Sequence, residues 1–250
     1  MIYPLPAVLV SCGAVPEEYN LLTVAWTGTV CSDPAMCYIS VRPERHSYGI
    51  IRRTGEFVIN LTTEELARAA DWCGVRSGRD YDKFRETGLT PGRSAVVAAP
   101  TVEEAPVSIE CRVKRIVPLG THDMFVAEVV NVQADERYID PDGRFDLERA
   151  RPLVYSHGEY FGLGEAIGRF GWSVRRKRPA AGQVSESGRK PAKLGSGSCA
   201  FSVRAAALSG RSPGGRLSDE FGGAAFAGRG KRRIPETPRC GSAAFRTTGA

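Results

Sequence analysis

Short runs of alternating apolar and polar residues, separated by turn residues, extend along most of the chain before residue 160. Alternation with a period of two is typical of β-strands. The strict alternation in residues 107–113 is expected to turn Val107, Ile109, Cys111 and Val113 toward the core and the polar residues between them toward solvent or a partner. The pattern predicts strands over residues 7–11, 21–27, 36–41, 56–61, 107–113, 125–132 and 153–156.

Helix signals are fewer. Thr62 and Glu65 have the spacing of a capping box, which predicts a helix from Thr62 to about Trp72. Two more short helices are predicted over residues 48–53, capped by Ser47, and 81–86, capped by Asp80. Many short strands with few helices and no βαβ rhythm favour a mainly β fold, a barrel with helical insertions, over a doubly wound sheet.

Charge divides the chain into two parts. Residues 1–174 contain 18 lysines and arginines against 24 aspartates and glutamates, whereas residues 175–250 contain 16 against 4. The second part is rich in Gly, Ala, Ser, Arg and Pro, and its few large apolar residues follow no period. Because such a segment cannot offset its ordering entropy by burial, the sequence predicts one domain over residues 1–178 and a disordered basic tail over residues 179–250.

The tail has three interpretations. It could bind nucleic acid or an anionic surface, it could be solvated without a partner, or it could read past the natural end of a coding frame. The last two are favoured, so nucleic acid is not the expected partner.

The seven cysteines form no C-x-x-C pair and no zinc-finger spacing. This pattern indicates reduced thiols, a cytoplasmic location and no metal site. The first residues lack the basic start of a signal peptide, and no apolar run reaches the roughly 18 residues of a membrane span. No membrane association is therefore expected.

Arg42, Arg45 and Ser47 lie close together just before a predicted helix. The free amides of a helix N-terminus and the forked guanidinium of arginine both bind phosphate oxygens. The alternative is an ordinary helix cap beside surface arginines.

The segment around Trp26 ends an apolar strand and offers a second candidate. Trp26, Thr27, Gly28 and Thr29 supply backbone amides, hydroxyls and one position without a side chain, before a turn at Asp33-Pro34. Alternatively, Trp26 is a core aromatic and the threonines are ordinary strand residues. Taken with the arginines and Ser47, the segment predicts a site for a flat aromatic ligand with a phosphate tail.

The three histidines differ in their candidate roles. His122 lies between two predicted strands, where it could pair with Asp123 or contact a ligand. His46 is expected to be exposed, with a phosphate contact as the alternative, and His157 has no identifiable partner. The sequence contains no nucleophile–base pair, no G-x-S-x-G turn and no P-loop, as expected if a cofactor carries out the chemistry.

Eight motifs follow one another between Pro4 and about Arg178 and carry a family resemblance. They lie at residues 6–10, 25–34, 40–48, 54–60, 77–84, 88–90, 110–111 and 119–123. This series resembles the flavin reductase-like, FMN-binding split-barrel family in its flavoredoxin-type branch. Cys31 departs from the family, in which serine is common at that position, and the tail has no family counterpart.

The resemblance implies a split β-barrel that forms a homodimer, with FMN at or near the subunit interface. His122 would lie near the nicotinamide of NAD(P)H and is the candidate catalytic residue. The implied cofactor contacts are Trp26, Thr27 and Gly28 at the flavin ring, Ser32 in the turn beside it, Arg42, Arg45 and Ser47 at the phosphate, and Lys83 and Phe84 in a loop closing over the site.

The predicted function is therefore that of an NAD(P)H:flavin oxidoreductase, which transfers hydride from NAD(P)H to FMN. A flavin-dependent monooxygenase or a redox protein is a candidate partner. The alternative is a flavoredoxin-like carrier that binds FMN and receives its electrons from another protein.

Overall fold

The structure, a computed structural model, describes residues 2–174 and the backbone of residues 231–233. The strands are β1 (Leu5–Pro6), β2 (Val8–Cys12), β3 (Asn20–Val24), β4 (Thr27–Ser32), β5 (Ala35–Val41), β6 (Glu56–Leu61), β7 (Pro91–Gly92), β8 (Thr101–Val102), β9 (Val107–Pro118), β10 (Asp123–Asp135), β11 (Leu153–Ser156), β12 (Glu159–Gly162) and β13 (Lys231–Arg233). The α-helices are α1 (His46–Thr54), α2 (Ala67–Val75) and α3 (Lys83–Thr87). Single 3₁₀ turns occur at Pro16–Glu18, Glu64–Leu66, Glu136–Tyr138, Glu148–Ala150 and Trp172–Val174.

One antiparallel sheet dominates the molecule, in the order β3-β2-β6-β9-β10-β5-β4. Strand β13 pairs with the end of β10. The sheet curves around an apolar core that includes Val10, Ile39, Phe57 and Phe125, and α1 adds Ile51 to the same core. The described part of the chain is thus a mainly β split barrel with a few short helices, which confirms the predicted fold class.

A second apolar cluster holds α2 and α3 against the outer side of β2 and β3. Leu9 and Leu21 from the strands meet Cys73 of α2 and Phe84 of α3, and all four are buried. Alternate residues of a strand face opposite sides of the sheet, so β2 and β3 serve both the barrel core and this cluster. The cluster fixes the position of α3 relative to α1, which matters for the site below.

All seven predicted strands are present. Those over residues 56–61 and 153–156 have the predicted bounds, while β9 and β10 are longer than predicted. Strand β4 was not predicted as a strand. It forms a hairpin with β5 around the predicted turn at Asp33-Pro34.

The predicted helix caps are wrong at all three helices. The Thr62 hydroxyl donates to the Ala7 carbonyl instead of capping a helix, and α2 follows a 3₁₀ turn. Asp82, and not Asp80, caps α3 by accepting from the Arg85 amide. Helix α1 starts at His46, so Ser47 lies inside its first turn.

The prediction that the polar face of β9 meets solvent or a partner is also wrong at two positions. Ser108 and Glu110 are fully buried. The Glu110 carboxylate accepts from the amides of residues 95–97 at 2.6–3.1 Å and from Asn131 and Gln133 at 2.7 and 2.8 Å. A loop that packs over the sheet therefore buries this face and pairs its carboxylate, which alternation alone does not reveal. The predicted boundary near residue 178 and the tail beyond it lie outside the described residues, apart from the backbone of β13.

We predict that Glu110→Ala destabilises the fold by about 3 kcal/mol or more, because five hydrogen-bond donors, two of them on the buried residues Val97 and Gln133, lose their acceptor. Burial alone would raise the pKa of Glu110, but the hydrogen bonds from Ala95, Gln133 and Asn131 outweigh it and hold the pKa below its usual value. A carboxyl group whose pKa is lower in the folded state stabilises the fold fully at a pH above its pKa in the unfolded state. This stabilisation is lost as the pH falls through its pKa in the folded state. Urea unfolding of wild type and Glu110→Ala at neutral and acid pH measures the loss of free energy of unfolding and its dependence on pH.

The control for this prediction is Glu159→Ala, which removes an exposed carboxylate. Equal free energies of unfolding for the two variants would contradict the role given to Glu110.

Candidate functional site

A cavity of about 360 Å³ lies where β3, α1 and the segment from the end of α2 to the start of α3 meet. Its lining is strongly cationic and includes Arg42, Arg45, Arg76, Arg79 and Lys83. One carboxylate, that of Glu44, also lines it and pairs with Arg42 at 2.9 Å. The cavity therefore has the electrostatics of an anion site.

The floor of this cavity is built from three buried polar side chains. Ser47 is 1% exposed and accepts a hydrogen bond of 2.7 Å from Asn20 Nδ2. Lys83 is 2% exposed, and its Nζ donates to the Cys73 carbonyl oxygen at 2.6 Å. Gly78 packs directly against the side-chain amide of Asn20, and a Cβ at residue 78 would overlap this amide.

Lys83 is the most unusual of these groups. Among the described residues no carboxylate lies within ion-pair distance of its ammonium group. Burial lowers the pKa of Lys83, because it penalises the charged form, and Arg45 adds to this effect. His46, half-buried at the start of α1, has its pKa lowered by burial and by the charges of Arg79 and Lys83. A bound anion would relieve this concentration of positive charge.

A second cavity of about 160 Å³ adjoins the first and shares Leu22, Arg42 and Arg45 with it. Its other end is formed by Trp26 and His122, whose ring centroids lie 4.5 Å apart at an interplanar angle of 40°. Trp26 is 38% exposed and therefore presents its ring to the opening. The two predicted parts of the site, aromatic and phosphate-binding, thus line two neighbouring cavities that have Leu22, Arg42 and Arg45 in common.

His122 is held at this end by its own loop. Its Nδ1 lies 3.0 Å from the Thr121 hydroxyl, and the pKa of His122 is lowered by partial burial and by the positive charge of Arg42. Asp123 does not pair with His122. It accepts a hydrogen bond of 2.5 Å from the Tyr48 hydroxyl, which ties α1 to the start of β10.

Four of the predicted site residues lie elsewhere. The Thr27 hydroxyl donates to the Tyr38 carbonyl at 2.7 Å, and the Tyr38 ring lies 3.0 Å from where a Cβ would stand on Gly28, so neither residue lines the cavities. Ser32 is at the tip of the β4–β5 hairpin, about 20 Å along the strand from Trp26. Phe84 is buried in the apolar cluster with Leu9 and Leu21. Lys83 and Phe84 are the first two residues of α3, so the prediction that Lys83 and Phe84 lie in a loop is wrong.

Sequence reasoning missed Asn20, Arg76 and Arg79 as site residues. Arg79 belongs to the motif at residues 77–84 that supported the family resemblance, but nothing in the sequence showed that this segment approaches α1. His157 contacts the Tyr3 ring at a centroid distance of 4.4 Å and lines neither cavity.

The remaining candidate chemistry in residues 2–174 is limited. The five cysteines described are all free thiols, with Cys37 and Cys111 3.5 Å apart at their sulfur atoms. Within this range no group of three or more His, Cys, Asp or Glu side chains is arranged to hold a metal ion. No helix in the same range has the length and apolar character to span a membrane.

Comparison with known proteins gives a consistent family match. The family model described as flavin reductase like domain matches residues 1–164. The structure is similar to the flavoredoxin of Desulfovibrio vulgaris (Miyazaki F), with 30% identity, a TM-score of 0.66, and coverage of 70% of this chain and 95% of that one. For the flavoredoxin of Methanosarcina acetivorans the identity is 26% and the TM-score 0.64, with the same coverage. The NADPH-flavin oxidoreductase of Streptomyces viridifaciens is 28% identical over 141 residues, which are 54% of this chain and 63% of that protein.

We predict that tryptophan fluorescence reports the protonation of His122. A protonated imidazole beside the Trp26 ring is a cation against an aromatic face and quenches the indole. Because the pKa of His122 is lowered by partial burial, the quenching on acidification should have its midpoint at a lower pH than an ordinary histidine would give, and His122→Gln should abolish it. His157→Gln is the control, since His157 contacts Tyr3 and not a tryptophan. A titration that is the same in both variants would refute the assignment.

Proposed function

The chain belongs to the flavin reductase-like family, as its sequence motifs predicted, and on this basis we propose that it binds FMN and transfers hydride to it from NAD(P)H. The observation that carries the proposal is that the cationic cavity and the cavity at the Trp26–His122 pair share Leu22, Arg42 and Arg45 in their walls. Arg42 and Arg45 line both cavities and would lie along a ligand that reaches from one end to the other.

The cationic end fits the phosphate of FMN. Ser47 and Lys83 at the floor, with Arg42 and Arg45 at the side, would hold the phosphate oxygens. Hydrogen bonds between ionised partners are about twice as strong as neutral ones, and a dianion would give the buried Lys83 ammonium the counter-charge that the described residues do not supply.

The aromatic end fits a planar ring system. Trp26 would border the flavin, whereas Thr27 and Gly28 are turned toward Tyr38 and would contribute only through the backbone of β4. Bound FMN supplies the hydride acceptor. The protein contributes orientation and exclusion of water, and His122, whose pKa is lowered by partial burial, would contact the nicotinamide.

A homodimer with the flavin near the interface is part of the proposal. Trp26, Val30 and Leu119 are exposed apolar side chains on β4 and the adjacent loops, and a second copy would cover them. Electrons would pass to a flavin-dependent monooxygenase or another redox protein. The cytoplasm remains the proposed location, on the cysteine pattern of the sequence.

The second candidate function is that of an electron carrier, favoured by the 30% identity to a flavoredoxin over most of that chain. Anaerobic stopped-flow mixing of the FMN-loaded protein with NADH or NADPH separates the two. A reductase bleaches the flavin absorbance within the turnover time. A carrier stays yellow until a reduced partner protein is added.

We predict that Lys83→Met weakens FMN binding roughly tenfold to hundredfold, because a charge-assisted phosphate contact is lost. Riboflavin has no phosphate, so its affinity should change by less than about twofold. Lys114→Met on β9, which breaks only the surface ion pair with Glu128, is the control. Fluorescence titration of both flavins measures the difference. Equal losses for FMN and riboflavin would contradict the assignment of Lys83 to the phosphate.

A further inference from the structure

The cationic cavity has a buried floor and an exposed rim. Ser47, Asn20 and Lys83 at the floor are all less than 5% exposed. Arg76 and Arg79 at the rim are exposed and lie on the segment that leads from α2 to α3. A flavin phosphate that enters past Arg42 and Arg45 and ends at the floor would leave the rim arginines without an anionic partner.

The rim arginines have no carboxylate partner among the described residues. Neither forms an ion pair there, although Asp80 and Asp82 belong to the same segment. Asp82 caps α3, and neither aspartate lines the cavity. In this segment, Arg76 and Arg79 therefore line the cavity, whereas the carboxylates of Asp80 and Asp82 do not.

The cavity also holds more positive charge than one phosphate needs. Five cationic side chains and one carboxylate line it, which gives a net charge of +4. A phosphate monoester brings about two negative charges at neutral pH, so an excess of about +2 would remain. The cavity, with a volume of about 360 Å³, is larger than one phosphate group.

An aromatic ring stands beside this rim. The Arg76 guanidinium lies over the face of the Tyr81 ring, 5.7 Å from its centroid, Trp72 meets the same ring edge-on at 5.5 Å, and Tyr81 is 38% exposed. Aromatic rings and arginine guanidinium planes both stack on nucleobases, and arginine also binds the attached phosphate. The combination is the chemistry that recognises an adenosine phosphate.

We propose that Arg76 and Arg79 bind a second phosphate group, carried by an adenine dinucleotide, while the floor of the same cavity holds the flavin phosphate. This inference rests on the proposed function. Two sources share the chemistry, the phosphates of NADPH and the adenylate phosphate of FAD.

The test uses the full chain and the double variant Arg76→Gln/Arg79→Gln. The control is Arg68→Gln/Arg115→Gln, which removes the same charge from exposed positions that line neither cavity. Equilibrium titrations measure the dissociation constants of FMN and FAD, and then those of the non-reacting NADP⁺ and NAD⁺ with the FMN-loaded protein. Wild-type protein that does not bind FMN would refute the proposed function itself, before the rim is tested.

In the rim variant, FMN affinity should stay within about threefold of wild type, while the affinity for NADP⁺ or for FAD falls about tenfold, as expected for exposed charge-assisted contacts. A selective loss for NADP⁺ over NAD⁺ identifies the 2′-phosphate, and a selective loss for FAD over FMN identifies the flavin dinucleotide. The proposal is overturned if rim and control variants bind the dinucleotides equally, or if FMN affinity falls as much as dinucleotide affinity.

Discussion

A lysine ammonium buried away from any carboxylate of the described chain is the constraint on which the site depends. Transfer of an unpaired charge out of water costs several kcal/mol or lowers the pKa of the group, and the pKa of Lys83 is lowered. The cost is tolerated because α3 is fixed by apolar burial: Phe84, the next residue, packs with Leu9 and Leu21. The apolar packing of Phe84 thus keeps the Lys83 ammonium group in a buried position, where an anion from outside the chain would be its best partner.

The same sheet that forms the barrel core brings the other parts of the site together. Strand β3 leads to Trp26, β5 ends next to Arg42, and the turn before β10 carries His122. The hydrogen bond from Tyr48 to Asp123 links α1 to the strand that follows His122. The sheet and α1 therefore set the positions of the residues at both ends of the two cavities, as the proposed alignment of two ring systems would require.

The sequence predicted the strands well because period-two alternation survives wherever one face is buried, as in β5. It failed where tertiary contacts replaced local ones. Thr62 bonds to the distant Ala7 carbonyl instead of capping a helix, and Glu110 is paired by a loop that packs over the sheet. In the candidate site, Arg42, Arg45, Ser47, Trp26 and His122 line two neighbouring cavities, and their roles toward a ligand stay predictions. Asn20, Arg76 and Arg79 could not be found, because their approach to α1 depends on how α2 packs on β3.

The central claim is that one phosphorylated, planar ligand spans the space from Lys83 to Trp26. The most direct measurement is a crystal structure of the full chain grown with FMN. The account predicts phosphate density within hydrogen-bond distance of Ser47 and Lys83 and ring density beside Trp26 and His122. A phosphate bound away from Lys83, or a ring bound away from Trp26, would contradict it.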